Sequence, residues 1–354
     1  MDIKKVLLVN RRLSVGGSER VMTLLANGLA DAGISVDMVV MQNMKRTYQV
    51  SDRVNVIQFD FDKYNPVKKT IKRLTELRKL MKKGSYDTVI SFMHIINFYT
   101  LLAGVGIKNI IVSERADPRQ PAGLPIRLGR RFLYPCAEKL VFQTEDAKSF
   151  FPKNIQKKGY IIPNPINNNL PQPYTGERDK EIVAFGRFTA QKNFKMAIDA
   201  FKLLHEDFPE YRLVIYGEGP LEKEIKEHIQ STGLEAFISL PGFQQNIIEK
   251  IKKAGVYISS SDFEGISNSM LEALAMGIPS VCTDCPVGGA AMTIKNNENG
   301  ILIPVGDTNA LYEGMKRIIE DKEFADKLSE NAVKIREELS IEKIVDKWLK
   351  VLSE

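Results

Sequence analysis

The stretch Lys4-Lys-Val-Leu-Leu-Val-Asn-Arg-Arg-Leu-Ser-Val-Gly-Gly-Ser-Glu-Arg20 decides how the chain folds. It begins as a short apolar run typical of a buried parallel strand, and residues 21–32 after it are apolar at helical spacing. Gly16 and Gly17 fall at the turn between them, where the lack of side chains lets another backbone or a ligand approach closely. This order predicts the first unit of a nucleotide-binding type of α/β domain, although the dinucleotide motif Gly-x-Gly-x-x-Gly is absent.

Short apolar runs and helical stretches alternate along the rest of the chain, which predicts a doubly wound parallel sheet in each half. The predicted strands are residues 4–10, 35–41, 54–59, 87–92, 109–113, 139–143 and 159–162, then 181–186, 212–216, 237–240, 257–260, 280–283 and 300–304, with residues 286–289 also assigned to the second sheet. Residues 163–178, rich in proline and asparagine, separate the halves. We therefore place two domains at 1–165 and 179–338, joined by a linker, 166–178, and followed by a last helix, 339–354.

The composition, 44% hydrophobic and 27% charged residues, is that of a soluble globular protein. No apolar run approaches the roughly 18 residues of a membrane span, and the N-terminus lacks a signal-peptide pattern, so we expect a cytoplasmic protein. Three cysteines, Cys136, Cys282 and Cys285, and only three histidines argue against a zinc site, a disulfide framework or a redox function.

The charge is distributed unevenly along the chain. Residues 1–174 hold 28 Lys and Arg against 14 Asp and Glu, whereas residues 175–354 hold 22 against 30. The basic half suggests an acidic partner, which would be nucleic acid, an anionic membrane surface or a phosphorylated acceptor. No aromatic-basic interleaving or nucleic-acid-binding module accompanies the charge, so we expect no nucleic-acid partner.

Two cationic stretches account for much of this charge. Residues 67–83 predict a helix with apolar residues on one stripe and cations elsewhere, and we favour packing on the sheet over a position on anionic lipid. The stripe consists of Ile71, Leu74, Leu77, Leu80 and Met81, and the second cationic stretch of Arg127, Arg130 and Arg131.

Polar side chains follow two strands of the first half, at the edge where an open parallel sheet binds ligands. His94 comes directly after the strand 87–92. Glu114, Arg115, Asp117 and Arg119 lie in one loop after the strand 109–113. Their density in that loop favours acceptor binding, with a surface ion-pair network as the alternative.

Cations and carboxylates follow strands of the second half. Arg187 and Lys192, five residues apart in the loop after the strand 181–186, can converge on one diphosphate. The stretch Ser260-Ser-Asp-Phe-Glu-Gly-Ile-Ser-Asn-Ser-Met-Leu-Glu-Ala-Leu-Ala-Met-Gly277 places Glu264 in a loop and Glu272 in a helix whose N-terminus suits a phosphate. Ser269 to Glu272 also has the spacing of a capping box, in which Glu272 satisfies a backbone N–H, and this interpretation is compatible with a role for Glu272 in ligand binding.

Taken in order, these motifs resemble the retaining glycosyltransferases of family four. The matching residues are Gly16-Gly17 with Glu19, Gly186-Arg187 with Lys192-Asn193, Gly217-Glu-Gly219, Pro241-Gly242, Glu264-Gly265 through Glu272, and Asn299-Gly-Ile-Leu302 before Pro304. The resemblance implies two Rossmann-like domains facing across a cleft, the GT-B arrangement, with the last helix crossing back to the N-terminal domain. It also implies that the C-terminal domain holds most of the nucleotide sugar and that neither metal nor cofactor is required.

The resemblance implies a role for each matched residue. Arg187 and Lys192 would neutralise the diphosphate, Glu264 would hold donor-sugar hydroxyls, and His94 would approach the transferred sugar. Glu272 would bind the ribose. The other donor-binding positions are Gly265 beside Glu264, the amides around Ser267, Asn268, Ser269 and Met270 at the distal phosphate, the Gly242-Phe243 turn at the base, and Gly16 and Gly17 over the diphosphate. Many relatives carry Glu where this chain has Ala291, so residues 288–291 receive no role.

Retention in this family is attributed to attack on the face of the leaving group, with the phosphate assisting proton removal. The chain shows no Ser-His-Asp or Cys-His arrangement, and Glu264 as a double-displacement nucleophile is the alternative. Residues 113–119 and Phe142-Gln-Thr-Glu145 resemble bacterial members that extend glycans on polyprenyl-diphosphate carriers or build capsular and O-antigen polysaccharides.

We therefore expect transfer of a hexose or N-acetylhexosamine, from a UDP-sugar by family precedent, to a glycan or lipid-linked acceptor. Peripheral contact with an anionic membrane surface is part of this expectation. The alternatives are nucleotide-sugar epimerisation on the same architecture and a non-catalytic protein that binds sugar nucleotides or nucleic acid. The spacing of Glu264 and Glu272, together with Arg187 and Lys192, argues against the epimerase.

Overall fold

A computed structural model describes residues 3–14, 16–42, 48–107, 109–120 and 123–354. The chain divides into two compact units, the first formed by residues 1–165 with 339–354 and the second by residues 166–338. Each unit contains one sheet in which the described strands pair in parallel, with helices between successive strands. The stretch expected to be a linker, residues 166–178, clusters with the second unit.

The sheet of the first unit has the strand order β3-β2-β1-β4-β5-β6-β7. Its strands are β1 (Lys5–Asn10), β2 (Ser35–Val40), β3 (Val54–Gln58), β4 (Thr88–Phe92), β5 (Ile110–Ser113), β6 (Lys139–Phe142) and β7 (Gly159–Ile161). Its helices are α1 (Gly17–Asp31), α2 (Pro66–Lys83), α3 (His94–Ala103), α4 (Leu124–Phe132), α5 (Glu145–Ser149) and α6 (Lys153–Gln156). Residues 6–9 of β1 are fully buried because helices cover both faces of the sheet.

The sheet of the second unit has the order β10-β9-β8-β11-β12-β13. Its strands are β8 (Asp179–Phe185), β9 (Arg212–Tyr216), β10 (Ile238–Ser239), β11 (Ala254–Ser259), β12 (Ser280–Thr283) and β13 (Ile301–Ile303). Its helices are α7 (Phe194–Asp207), α8 (Glu222–Thr232), α9 (Ile247–Ile251), α10 (Asn268–Ala275), α11 (Gly289–Thr293), α12 (Thr308–Glu320), α13 (Lys322–Ala332) and α14 (Ile335–Glu338).

Every strand expected from the apolar runs has a counterpart, so the α/β class with two parallel sheets is confirmed. The assignment of residues 286–289 to the second sheet is wrong. Gly288 has a φ of 73°, in the left-handed region, and the chain turns there into α11 instead of extending along a neighbouring strand.

The buried residues of helix α2 all lie in its second half. Leu77 and Met81 are buried, as expected from the apolar stripe. Ile71, which that stripe also contains, is 55% exposed, so the prediction was wrong for the first half of the helix. None of the helices in the described ranges combines the length and the apolar character that crossing a membrane requires.

The last helix, α15 (Ile341–Ser353), completes the core of the first unit. Trp348 is fully buried, and its ring lies 6.0 Å from that of Phe92, the last residue of β4. Helix α15 also packs on α1 at Gly28, where a Cβ atom would overlap Val345. The first unit therefore depends on residues from the far end of the chain.

We expect Phe92→Ala to destabilise the first unit by about 3–5 kcal/mol, because it leaves a cavity beside Trp348. Trp348 is the only tryptophan, so its fluorescence during urea denaturation reports this unit alone. Lys347→Ala, on the exposed side of α15, is the control and should stay within about 0.5 kcal/mol of wild type. Equal transition midpoints for the two variants would contradict this packing.

Candidate active site

The strand order of the second sheet reverses at β8 and β11, the position where open parallel sheets bind ligands. Hydrogen bonds join the loops that follow these two strands. Ser260 Oγ donates to the carbonyl oxygens of Lys192 (2.9 Å) and Asn193 (3.0 Å), and the Asp262 N–H donates to Gln191 O (2.9 Å). The two loops that carry most of the expected donor-binding residues thus form one connected structure.

Asn193 fixes the junction between this loop and α7. Its φ of 43° lies in the left-handed region, which asparagine tolerates better than most residues. Its Oδ1 accepts the N–H of Met196 at the start of α7, while its Nδ2 donates to Asp262 Oδ1 at 2.7 Å. One side chain therefore caps the helix and binds the neighbouring loop.

Lys192 and Glu264, expected to bind different parts of a donor, contact each other. Lys192 Nζ lies 2.5 Å from Glu264 Oε2, and the two side chains are 15% and 20% exposed. The lysine stem passes Gly186, where a Cβ atom would come within 3.0 Å of Lys192 Cε. A partly buried ion pair with some access to solvent can exchange partners when another anion arrives, because neither charge is sealed from water.

Arg187 differs from Lys192 in its surroundings. It is exposed, and among the described residues its guanidinium has no ion-pair or hydrogen-bond partner. A planar guanidinium in this position can bind two oxygens of one phosphate.

The loops after β9 and β10 continue the same edge of the sheet. A Cβ atom at Gly217 would overlap Gly186 O, and one at Gly219 would overlap the backbone of Phe188. The Gly217 N–H donates to Gly242 O at 3.0 Å, which places the turn expected to meet the base beside the loop that carries Arg187. Phe243, the next residue, has an exposed ring.

Helix α10 begins at Asn268, with Ser267 as its N-cap and no side-chain capping bond. The capping-box interpretation was therefore wrong, because Ser269 lies inside the helix. The Ser269 hydroxyl lies 2.8 Å from Ser267 Oγ and accepts from Tyr257 OH at 3.1 Å. Glu272 is buried one turn further along. The loop that carries Glu264 thus leads directly into the first turn of α10 and its backbone amides.

The loop after β12 supports the position of Glu264. The Glu264 N–H donates to Pro286 O at 3.0 Å, and a Cβ atom at Gly289 would overlap Gly265 O. Sequence reasoning gave no role to residues 288–291 and overlooked Ser260 and Asp262. The polar run after β11 and the paired glycines after β12 were the available signals.

In the first sheet the order reverses at β1 and β4, and Gly16, Gly17 and His94 follow these strands. A side chain at Gly16 would overlap the Glu19 carboxylate, which accepts from Arg12 Nε (3.1 Å) and Ser18 Oγ (2.7 Å). The space that the Glu19 carboxylate occupies therefore explains why position 16 is a glycine.

His94 is the first residue of α3 and follows Met93, whose φ of 74° is rare for a residue with a side chain. His94 Nδ1 lies 4.0 Å from Glu114 Oε1. Burial and the Arg130 charge lower the pKa of His94, against the opposing effect of Glu114. The lowered pKa favours the neutral imidazole, in which one nitrogen can accept a hydrogen bond and the other can donate one.

The four residues expected to bind an acceptor all have partners within the first unit, and two of them, Asp117 and Arg119, are bonded to each other. Glu114 is buried and accepts from Arg130 Nη2 at 2.9 Å and from Tyr134 OH. The other contacts are Arg115 Nη1 to Ile162 O (3.0 Å), Asp117 to Arg119 N (2.9 Å) and Gln120 Nε2 (3.0 Å), and Arg119 to Asp146 (3.0 Å). The structure does not gather these four side chains at one point.

Solved structures with the same fold match nearly the whole chain. A TarM variant from S. aureus, in a complex that includes UDP, has a TM-score of 0.82 at 14% identity and covers 99% of this chain and 100% of its own. Anabaena Alr3699/HepE in complex with UDP and glucose has a TM-score of 0.82 at 16% identity, with 99% of each chain covered. These likenesses confirm the GT-B type of α/β architecture.

Curated relatives also match over nearly their full length. An uncharacterized glycosyltransferase of Haemophilus influenzae is 25% identical, with 96% of this chain and 97% of the relative covered. A Campylobacter jejuni α-1,4-N-acetyl-D-galactosaminyltransferase, named for a GalNAc-GalNAc-diNAcBac-PP-undecaprenol substrate, is 26% identical with 99% and 98% covered. A second Campylobacter jejuni enzyme, a diphospho-undecaprenol 4-α-N-acetylgalactosaminyltransferase, is 28% identical with 92% of each covered.

Two family models match consecutive parts of the chain. The model described as Glycosyltransferase Family 4 matches residues 15–170, and that described as Glycosyl transferases group 1 matches residues 167–335. The two matches follow each other in order, and the chain therefore belongs to the glycosyltransferases that join a family-four N-terminal part to a group 1 C-terminal part.

Proposed function

We propose that this glycosyltransferase moves a hexose or N-acetylhexosamine from a UDP-sugar, with retention of anomeric configuration, to a glycan on a polyprenyl-diphosphate carrier. The observation that carries the proposal is the arrangement at the switch point of the second sheet. Arg187, the Lys192–Glu264 ion pair and the first turn of α10 lie in loops that are bonded to one another there.

Donor binding would begin with a change of partner at Lys192. A diphosphate carries more charge than a carboxylate and can accept from Arg187, Lys192 and the α10 amides together. When the ammonium turns to phosphate, Glu264 loses its ion-pair partner and becomes available to accept hydrogen bonds from sugar hydroxyls. The ion pair would thus hold both groups in place until the donor uses them separately.

The largest contribution to rate would come from the leaving group. Breaking the anomeric C–O bond leaves UDP with an additional negative charge, and Arg187, Lys192 and the α10 N-terminus would stabilise it without a metal ion. Attack from the same face, with the phosphate accepting the acceptor proton, needs no enzymic nucleophile. For His94 we keep the role that the resemblance implies, a contact to the transferred sugar.

The acceptor class rests on the relatives and on charge. Both Campylobacter jejuni enzymes are named for undecaprenol-linked diphosphate substrates. The basic first half of this chain would attract such an anionic acceptor. The UDP donor is supported by the nucleotide that both structural neighbours contain.

A donor screen tests the function directly. The full-length protein should release UDP from one UDP-sugar only when a polyprenyl-diphosphate-linked glycan is present, and NMR of the product from an α-linked donor should show an α linkage. A β linkage would disprove retention. Release of nucleotide from none of the UDP- and GDP-sugars, with or without lipid extract, would disprove the transfer.

We expect Arg187→Ala to lower kcat by about 10²–10³-fold, because one donor of charge stabilisation at the leaving group is lost. Lys195→Ala is the matched control, since Lys195 is an exposed cation on the same segment and pairs with Glu224. Its kcat should stay within twofold of wild type, as measured by UDP release at saturating donor. A similar loss in both variants would mean that Arg187 acts only through general surface charge.

EDTA should leave the initial rate unchanged, because protein cations carry the charge of the diphosphate in this proposal. The measurement is the rate of UDP release before and after chelation. If activity falls and Mg²⁺ restores it, the leaving group needs a metal and the proposal of metal-independent transfer is wrong.

A further inference from the structure

We propose that helices α2, α3 and α4 of the first unit present a docking face for an anionic lipid bilayer. This α2–α4 face is defined by the exposed apolar side chains of the three helices and of the turn after α3, which are Val67, Ile71, Ile95, Leu102, Val105, Leu124, Leu128 and Phe132. In the described parts of the chain twelve large hydrophobic side chains are exposed, and these eight belong to this one region. Such a concentration marks an interaction surface rather than the scattered exposure that is normal.

Helix α4 gives the strongest argument. None of its residues is buried, and Leu124, Leu128 and Phe132 are 65%, 43% and 63% exposed. Their spacing of four residues places them along one side of the helix. A nine-residue helix that has no fully buried residue and turns an apolar stripe to solvent gains little from folding alone.

The orientation of α4 is fixed from its opposite side. Gly129 packs so closely on Phe98 of α3 that a Cβ atom would come 2.5 Å from the ring. Arg130 donates to Glu114 Oε1 (2.9 Å) and to Pro118 O (3.0 Å). The apolar stripe therefore faces outward because the inner side of the helix is anchored.

Helix α3 connects the other two helices. It contacts α4 through Phe98 and α2 through a hydrogen bond between Tyr99 OH and Thr70 Oγ1 at 3.2 Å. Ile95 and Leu102, seven residues apart, share the outer side of α3. Because α3 contacts both α2 and α4, the exposed apolar side chains of the three helices belong to neighbouring helices of the first unit.

Charge selects a bilayer over a protein partner. Arg127 and Arg131 are exposed beside the stripe of α4, which has no acidic residue, and α2 carries eight Lys and Arg against one Glu. Apolar side chains with arginine and lysine beside them are typical of helices that lie in an anionic membrane surface. Protein interfaces are depleted in lysine, so the α2 sequence fits a protein partner poorly.

Flotation with lipid vesicles tests the face without any donor or acceptor, so its outcome is separate from that of the proposed transfer. Full-length protein should float with vesicles of phosphatidylcholine and phosphatidylglycerol and much less with phosphatidylcholine alone. The double variant Leu128→Ser/Phe132→Ser should lower the partition coefficient more than tenfold. Arg127→Ala/Arg131→Ala should lower it roughly fivefold for each arginine and remove most of the preference for anionic lipid.

The matched control is Met292→Ser/Val305→Ser, which removes two exposed apolar side chains of the second unit and should float like wild type. Unchanged thermal unfolding of all variants shows that they are folded. Flotation of the α4 variants at the wild-type level would overturn the proposal. So would a failure of wild type to float, or a change in oligomeric state caused by the α4 variants without a change in flotation.

Discussion

Two neighbouring parallel strands, β8 and β11, end at the same edge of one sheet while the chain leaves them for different helices. The loops that follow the two strands therefore lie side by side at this edge, and polar groups connect them. Ser260, Asp262 and Asn193 bind the two loops through hydroxyl, carboxylate and amide groups. Because the bonds are short and involve backbone as well as side chains, they fix the two loops relative to each other, and the ion pair fixes Lys192 relative to Glu264. Such preorganisation is what charge stabilisation needs.

The Lys192–Glu264 pair gives this arrangement a second property. Two opposite charges that are mostly withdrawn from water would each be costly alone, so each holds the other in place. In the proposed function, the donor diphosphate would compete with Glu264 for the ammonium, and a sugar hydroxyl would compete with Lys192 for the carboxylate. A ligand that offers both groups would satisfy both charges at once, whereas phosphate alone would leave the carboxylate without a cation. The proposal therefore implies a preference for a nucleotide sugar over free nucleotide.

The sequence predicted the architecture well because apolar runs between glycine and proline report burial directly, and the thirteen strands in the described ranges follow these runs. The sequence predicted less about which side chains form hydrogen bonds and ion pairs with each other. Ser269 and Glu272 have the spacing of a capping box, but the helix starts earlier, at Asn268, and the Ser269 hydroxyl contacts Ser267 and Tyr257 instead. Likewise Glu114 and Arg119 are close in sequence, yet they bind Tyr134, Arg130 and Asp146, partners that only the folded sheet brings near. The outward stripe of α4 was hidden for the same reason, since spacing alone does not show which side of a helix is covered.

The position of Trp348 has a consequence for the order of synthesis. The second unit is one continuous segment, residues 166–338, and has all its residues once that segment has left the ribosome. The first unit lacks α15 until residues 341–353 have been translated, so Phe92 and the α1 surface around Gly28 remain uncovered while the second unit is being made. Domains usually mature in the order in which they are made. Here the unit made first is finished last, and a nascent chain truncated before residue 341 would expose its apolar surface to chaperones.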